Sequence, residues 1–234
     1  MGLYDRDYVQ QREHEQETGF QEVSRASLST FIKQTYQLFA ASLLAASVGA
    51  YVGIGIAATV SSWFWGLVIL EFALLFGLYM AKRKEGLNFI LLFGFTFVSG
   101  LTLAPLLSSI LGIKGGASIV ANAFILTTVA FGGLSVFAMN TKRDFSAMGK
   151  MLFITLIVVV VASLINIFFH SPVLQLVIAS VSSILFSAFI LYDTQNIIRG
   201  AYETPIEGAI ALYLDFLNLF VSLLQILGIL GRDE

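Results

Sequence analysis

The chain has 234 residues, of which 57% are hydrophobic, 13% aromatic and only 12% charged, with a mean hydropathy of +0.86 and a formal charge of −2. Soluble domains carry about a quarter charged residues, so the composition excludes one and indicates a polytopic membrane protein, and the near-neutral charge points to neither nucleic acid nor an acidic substrate. The absence of cysteine excludes disulfides, thiolate catalysis and cysteine metal sites.

Residues 1–30 alternate acids, bases and amides in MGLYDRDYVQQREHEQETGFQEVSR with no apolar period, and are expected to form a solvated cytoplasmic tail. No basic start leads directly into an apolar core with a small-residue cleavage site, so the first span is expected to remain as an anchor. Seven apolar runs follow, at 35–57, 63–81, 87–112, 117–139, 150–170, 173–196 and 208–230. Each approaches the ~20 residues that cross a hydrocarbon core of about 30 Å, and lipid forbids open strands. The expected fold class is all-α, with the tail over 1–30 and a seven-helix transmembrane domain over 31–234.

Span one carries Gly49 and Gly53 at GxxxG spacing, a mark of close helix packing. Tyr51, Trp63 and Trp65 read as interfacial anchors. Span two holds Glu71 in ILEFALLFG, and Lys82, eleven residues on and close to three turns away, lies on nearly the same face. Pro105 in span three reads as a tolerated kink. Asn166 in span five suits an interhelical hydrogen bond, and His170, beside Ser171 and Pro172, reads as a loop histidine. Span six brings Ser183 and Ser187, then Asp193 and Asn196 in ILYDTQNII, and span seven brings Asp215 in LYLDFLNLF. Asp215, Asn218, Ser222 and Gln225 follow spacings of 3, 4 and 3, which put them on one helical stripe. One polar wall on an otherwise apolar helix suits the central helix of the bundle.

Alternate loops divide the lysines and arginines eleven to two, which predicts a cytoplasmic N-terminus and, with seven spans, a C-terminus outside. On that topology Asp193 and Asp215 lie roughly 6 and 10 Å from the cytoplasmic ends of their spans at ~1.5 Å per residue. The short connection over 197–207 makes spans six and seven antiparallel neighbours, so the two carboxylates are placed to face one another. A carboxylate inside a span costs about 2.5–3.5 kcal/mol on insertion scales, which makes each aspartate a candidate functional residue.

The strings AFILYDTQNIIRG and IALYLDFLNLFVSLLQILGIL, with ILEFALLFG, FTFVSGLTLAP and TKRDFSAMGKMLF before them in order, resemble the Bax inhibitor-1 (transmembrane BAX inhibitor motif) family in its bacterial form, over roughly residues 30–232. The resemblance implies six helices around the last one and a pH-sensitive calcium leak gated by an aspartate pair, carried over to Asp193 and Asp215. It also implies a basic latch from the second helix, often arginine in bacterial members, and the nearest matching position is Lys82, with Arg83 beside it. Lysine cannot make the planar bidentate pair of arginine, and snorkelling of Lys82 into the headgroups is the alternative.

Two like charges in a partly dry site titrate as a unit, which makes a proton switch. A shared proton holds the pair together; loss of both protons separates the helices and exposes oxygen ligands for calcium, bound transiently at Asp193 and Asp215. Glu71, Asn218, Ser222 and Gln225 are candidate pore-lining residues, and no cofactor is expected beyond calcium as the permeant ion. The expected setting is the bacterial cytoplasmic (inner) membrane, with the lipid bilayer and calcium as partners and no nucleic acid. A regulatory protein acting on a membrane protease or a stress pathway is the alternative. An intramembrane aspartyl protease shares the YD at 192–193, but Leu212, Tyr213, Leu214 and Asp215 stand where that family has GxGD and its Pro-Ala-Leu motif is missing, so no enzyme activity is expected. Walker A, dinucleotide and HExxH patterns are also absent.

Overall fold

A computed structural model describes the backbone of residues 3–231 and the side chains of residues 26–231. Eight α-helices follow in order: α1 (Leu3–Gly55), α2 (Ala57–Ser62), α3 (Phe64–Ala81), α4 (Leu87–Leu111), α5 (Gly116–Asn140), α6 (Gly149–Phe169), α7 (Pro172–Ile198) and α8 (Pro205–Leu230), with a 3₁₀ turn at Ser146–Met148 before α6. Seven are long and apolar enough to cross a membrane, with the span in α1 starting at Ala26. No strand occurs among the described residues. The exception is α2, a single short helix between α1 and α3 that hydropathy alone merges with its neighbours.

Helix starts reflect local chemistry more than hydropathy. Thr204 caps α8 by accepting from the Glu207 N–H, Glu207 accepts back from the Thr204 N–H, and Pro205 takes the first helical position. This is a capping box with proline where no N–H is needed. It starts α8 three residues before the apolar run and shortens the expected 197–207 connection to 199–204. Ser171 caps α7 by accepting from the Leu174 N–H, with Pro172 at the first helical position. Gly200, at a φ of 66°, supplies the left-handed turn after α7. The backbone over 3–30, expected as a tail, belongs to α1; whether its side chains are solvated lies outside the described residues up to 25.

Helix α8 packs along α1, α4, α5 and α7. Leu212, Tyr213 and Leu224 on it are fully enclosed. At the centre, Phe39 of α1 stacks on Phe131 of α5 with ring centroids 4.8 Å apart, and Phe216 of α8 meets both rings edge-on. The glycines of α1 do pack closely, within the molecule: a Cβ on Gly49 would stand 2.1 Å from the Phe97 carbonyl oxygen, and one on Gly100 of α4 would stand 2.0 Å from that of Ala46. Two backbones therefore touch along the α1–α4 seam. Around α6 the arrangement is looser, because α6 packs on α7 and neither α3 nor α6 lies along α8. The outer surface is apolar, with Phe72, Phe76, Phe168 and Val173 exposed as lipid-facing side chains.

Candidate functional site

The space between α6, α7 and α8 is a cavity of about 700 Å³, bordered by Tyr79 of α3. The polar stripe of α8 forms one wall: Asp215, Asn218, Ser222 and Gln225 all line it. Asp193 of α7 lines the same cavity, and it is 7% exposed against 4% for Asp215. The two carboxyls lie close enough to interact, and two carboxylates so placed repel each other unless a proton or cation lies between them.

The remaining contacts fix which oxygens are free. Tyr202, in the α7–α8 connection, donates from its hydroxyl to Asp193 Oδ1 at 2.7 Å, and Asn196 Nδ2 donates to the same oxygen at 3.4 Å. Burial first, and then the adjacent Asp193 charge, push the Tyr202 phenol far above its ordinary value, so Tyr202 remains a donor. Asp215 Oδ2 is buried without a hydrogen-bond partner.

Lys82, expected as a latch on Asp193, pairs instead with two glutamates at the start of α8. Its Nζ lies 2.6 Å from Glu207 Oε1 and 3.0 Å from Glu203 Oε2. Its side chain is 18% exposed, which replaces the snorkelling alternative with a tertiary ion pair. Arg83 pairs with Glu203 alone, with Nη2 at 2.7 Å and Nε at 3.2 Å from one oxygen. The hydrogen bond that Lys82 donates to Glu207 leads in raising the Lys82 ammonium, and Lys82 followed by Arg83 holds Glu203 below its ordinary value. Both basic residues thus clasp the start of α8 to the end of α3.

Glu71 lies apart from this cavity, where the Thr102 hydroxyl donates to its Oε1. Tyr213 bonds to Ser99 on the α4 side of α8. Ser183 and Ser187 donate to carbonyls of their own helix, and Ser182 is the α7 serine on the cavity wall. Asn166 makes the expected interhelical bond, donating to Gln175 Oε1 at 2.9 Å. Helix α4 runs on through Pro105, and His170 caps α6 with a left-handed φ of 48°. Trp63, Trp65 and Tyr51 are exposed, as interfacial anchors are. The sequence reading missed Tyr202, Glu203, Glu207 and Gln175. Thr204-Pro-Ile-Glu207 was a local signal for Glu207; the others are recognised only by their distant partners.

The sequence profile of the family described as "Inhibitor of apoptosis-promoting Bax1" matches residues 28–232. The chain belongs to the Bax inhibitor-1 family. That match takes in all seven membrane-crossing segments apart from the first two residues of the first, with both aspartates and the Lys82 clasp. Bax inhibitor-1 relatives include an uncharacterized protein of Campylobacter jejuni, 63% identical over 97% of each chain, and an uncharacterized membrane protein of Vibrio cholerae, 38% identical over 87% of this chain and 91% of the other. A Golgi anti-apoptotic protein of vaccinia virus is 37% identical over 68% of this chain and 65% of its own.

Proposed function

We propose that this chain is a pH-sensitive, calcium-permeable leak of the bacterial cytoplasmic membrane, gated by Asp193 and Asp215, with its N-terminus in the cytoplasm and its C-terminus outside. The observation that carries the reading is Asp215 Oδ2, which is buried, lacks a donor and belongs to one of two neighbouring carboxyls on a cavity wall. A carboxylate oxygen cut off from water and donors is costly, and either a proton or a cation relieves the cost. With one proton between them the carboxyls hold α7 against α8. With both ionised they repel, and their oxygens become ligands.

The rest of the stripe favours a cation. Asn218 Nδ2 donates to the Leu214 carbonyl at 2.7 Å and Ser222 Oγ donates to the Asn218 carbonyl at 2.6 Å. One Asn218 N–H and the Ser222 hydroxyl proton are thereby used within α8, which leaves the Asn218 and Ser222 side-chain oxygens as acceptors. Among the described residues no cluster of three His, Asp or Glu side chains forms a metal cage. Calcium takes about six to eight oxygens, so the two carboxylates, the stripe and water make a weak transit site, as conduction requires. The chemistry in this reading is passage of an ion.

The test is calcium flux into proteoliposomes across roughly pH 5 to 8, with a protein-free control, where a coupled carboxyl pair is expected to respond. Wild-type flux should depend on pH, and Asp193→Asn and Asp215→Asn should each flatten that dependence. No flux above the control at any pH sinks the leak; unchanged pH dependence in both variants removes the aspartates as its sensor.

A further inference from the structure

At the end away from the lysine- and arginine-rich loops, three side-chain amides join α6, α7 and α8. The Ser171 N–H donates to Asn166 Oδ1 at 3.1 Å, Asn166 Nδ2 donates to Gln175 Oε1 at 2.9 Å, and Gln175 Nε2 donates to Gln225 Oε1 at 2.7 Å. Gln175 and Gln225 line the 700 Å³ cavity and also a second one of about 450 Å³ beside His170 and Ser171. Gln175 and Gln225 therefore stand where the two cavities meet, with Asn166 on the wall of the smaller one. The first of the three amides is anchored by a backbone N–H at the start of α7, so the direction of every bond among them is set.

We propose that Asn166, Gln175 and Gln225 form a second closure of the ion path, uncharged, at the opposite end from the aspartate pair. A hard divalent cation passes it by exchanging water for the amide carbonyl oxygens of Gln175 and Gln225, which are freed once the hydrogen bonds between the amides break. This rests on the leak reading for the identity of the ion, and not for the closure itself. The energetic demand is small: a single neutral hydrogen bond links Gln175 to Gln225. The closure is therefore one that thermal motion opens, unlike a packed apolar plug.

The chain contains no cysteine, so single cysteines can be read without background. Ser222→Cys lies one turn inside the closure and lines the large cavity, while Ser109→Cys, exposed on the wall of the second cavity, scores the protein molecules whose outer end faces the reagent. Full-length protein in liposomes is treated from outside with a membrane-impermeant cationic thiol reagent. Ser222→Cys should label more slowly than Ser109→Cys. Adding Gln175→Met, which keeps length and removes the link to Gln225, should speed Ser222→Cys up to about tenfold, the weight of that one hydrogen bond, and leave Ser109→Cys unchanged. Gln225→Met breaks the same link from the other side and substitutes for Gln175→Met if that variant does not fold. Equal labelling at both cysteines with the amides intact, or a slow rate that neither methionine changes, overturns the closure. Faster labelling without calcium flux keeps the closure and defeats the leak reading alone.

Discussion

The α1–α4 seam and the α6 side of the bundle are built in opposite ways. Along the seam, backbone meets backbone, with Gly49 and Gly100 leaving no room for a methyl group. On the other side, helix α6 is packed on α7, and a 700 Å³ cavity separates α6 from the polar stripe of α8. The difference teaches where motion is cheap. The seam and the Phe39–Phe131–Phe216 cluster hold one face of α8 in place, while its other face, bearing Asp215, looks onto space that can be filled, emptied or closed.

The strongest way to break this contrast is to add one methyl group on the tight side. Gly100→Ala should cost about 1 to 3 kcal/mol or more, because a carbonyl rather than a flexible side chain must retreat, seen as a large fall in Tm in detergent. Tyr202→Phe comes next, at about 1 to 2 kcal/mol, as Asp193 Oδ1 keeps only the longer bond from Asn196. Thr204→Ala, which removes one half of the capping box, should cost about 1 kcal/mol in the same melt. Ala211→Val on the cavity wall has space available and should cost only the helix propensity of valine, about 0.5 kcal/mol. A loss for Ala211→Val equal to that for Gly100→Ala would end the distinction between the two sides.

The smallest effect expected is that of mild pH change on the clasp. Glu203 is held below its ordinary value, so its contribution to stability is present above that value and is lost as pH falls through the lowered one. Lys82 is raised, so its contribution is present below its ordinary value and is lost as pH rises through the higher one. Between these limits the clasp stays closed, and Lys82→Gln should change the size of the calcium flux without moving its pH midpoint. The Asp144–Arg199 pair follows the acid side of the same rule: the Ser146 N–H first, and then Arg199, lower Asp144 to about 2, and its contribution is lost only in strong acid. A midpoint displaced by Lys82→Gln would place the pH sensor in the clasp.

Much of this was legible in the chain because lipid imposes a simple rule. Seven apolar runs had to be seven helices, and the 3-4-3 spacing had to put four polar groups on one wall. The polar extension of α1 was not legible, since a helix that leaves the bilayer needs no apolar period. Nor was the partner of Lys82: its face and depth follow from its spacing to Glu71, but Glu207 is 125 residues away in sequence. Ser182 rather than Ser183 faces the cavity, a choice set by how α7 is rotated against its neighbours. Asn166 was recognisable as an interhelical donor, but Gln175 acquires meaning only once α8 brings Gln225 beside it.

Glu207 has two oxygens and uses them differently. Oε2 accepts the N–H groups of Glu203 and Thr204, while Oε1 receives Lys82 from another helix. Fraying at the start of α8 and release of α3 are therefore a single event. In amide hydrogen exchange, Glu203 and Thr204 should be protected well beyond what their place in a short connection suggests, and Lys82→Gln should remove that protection from a site far along the chain.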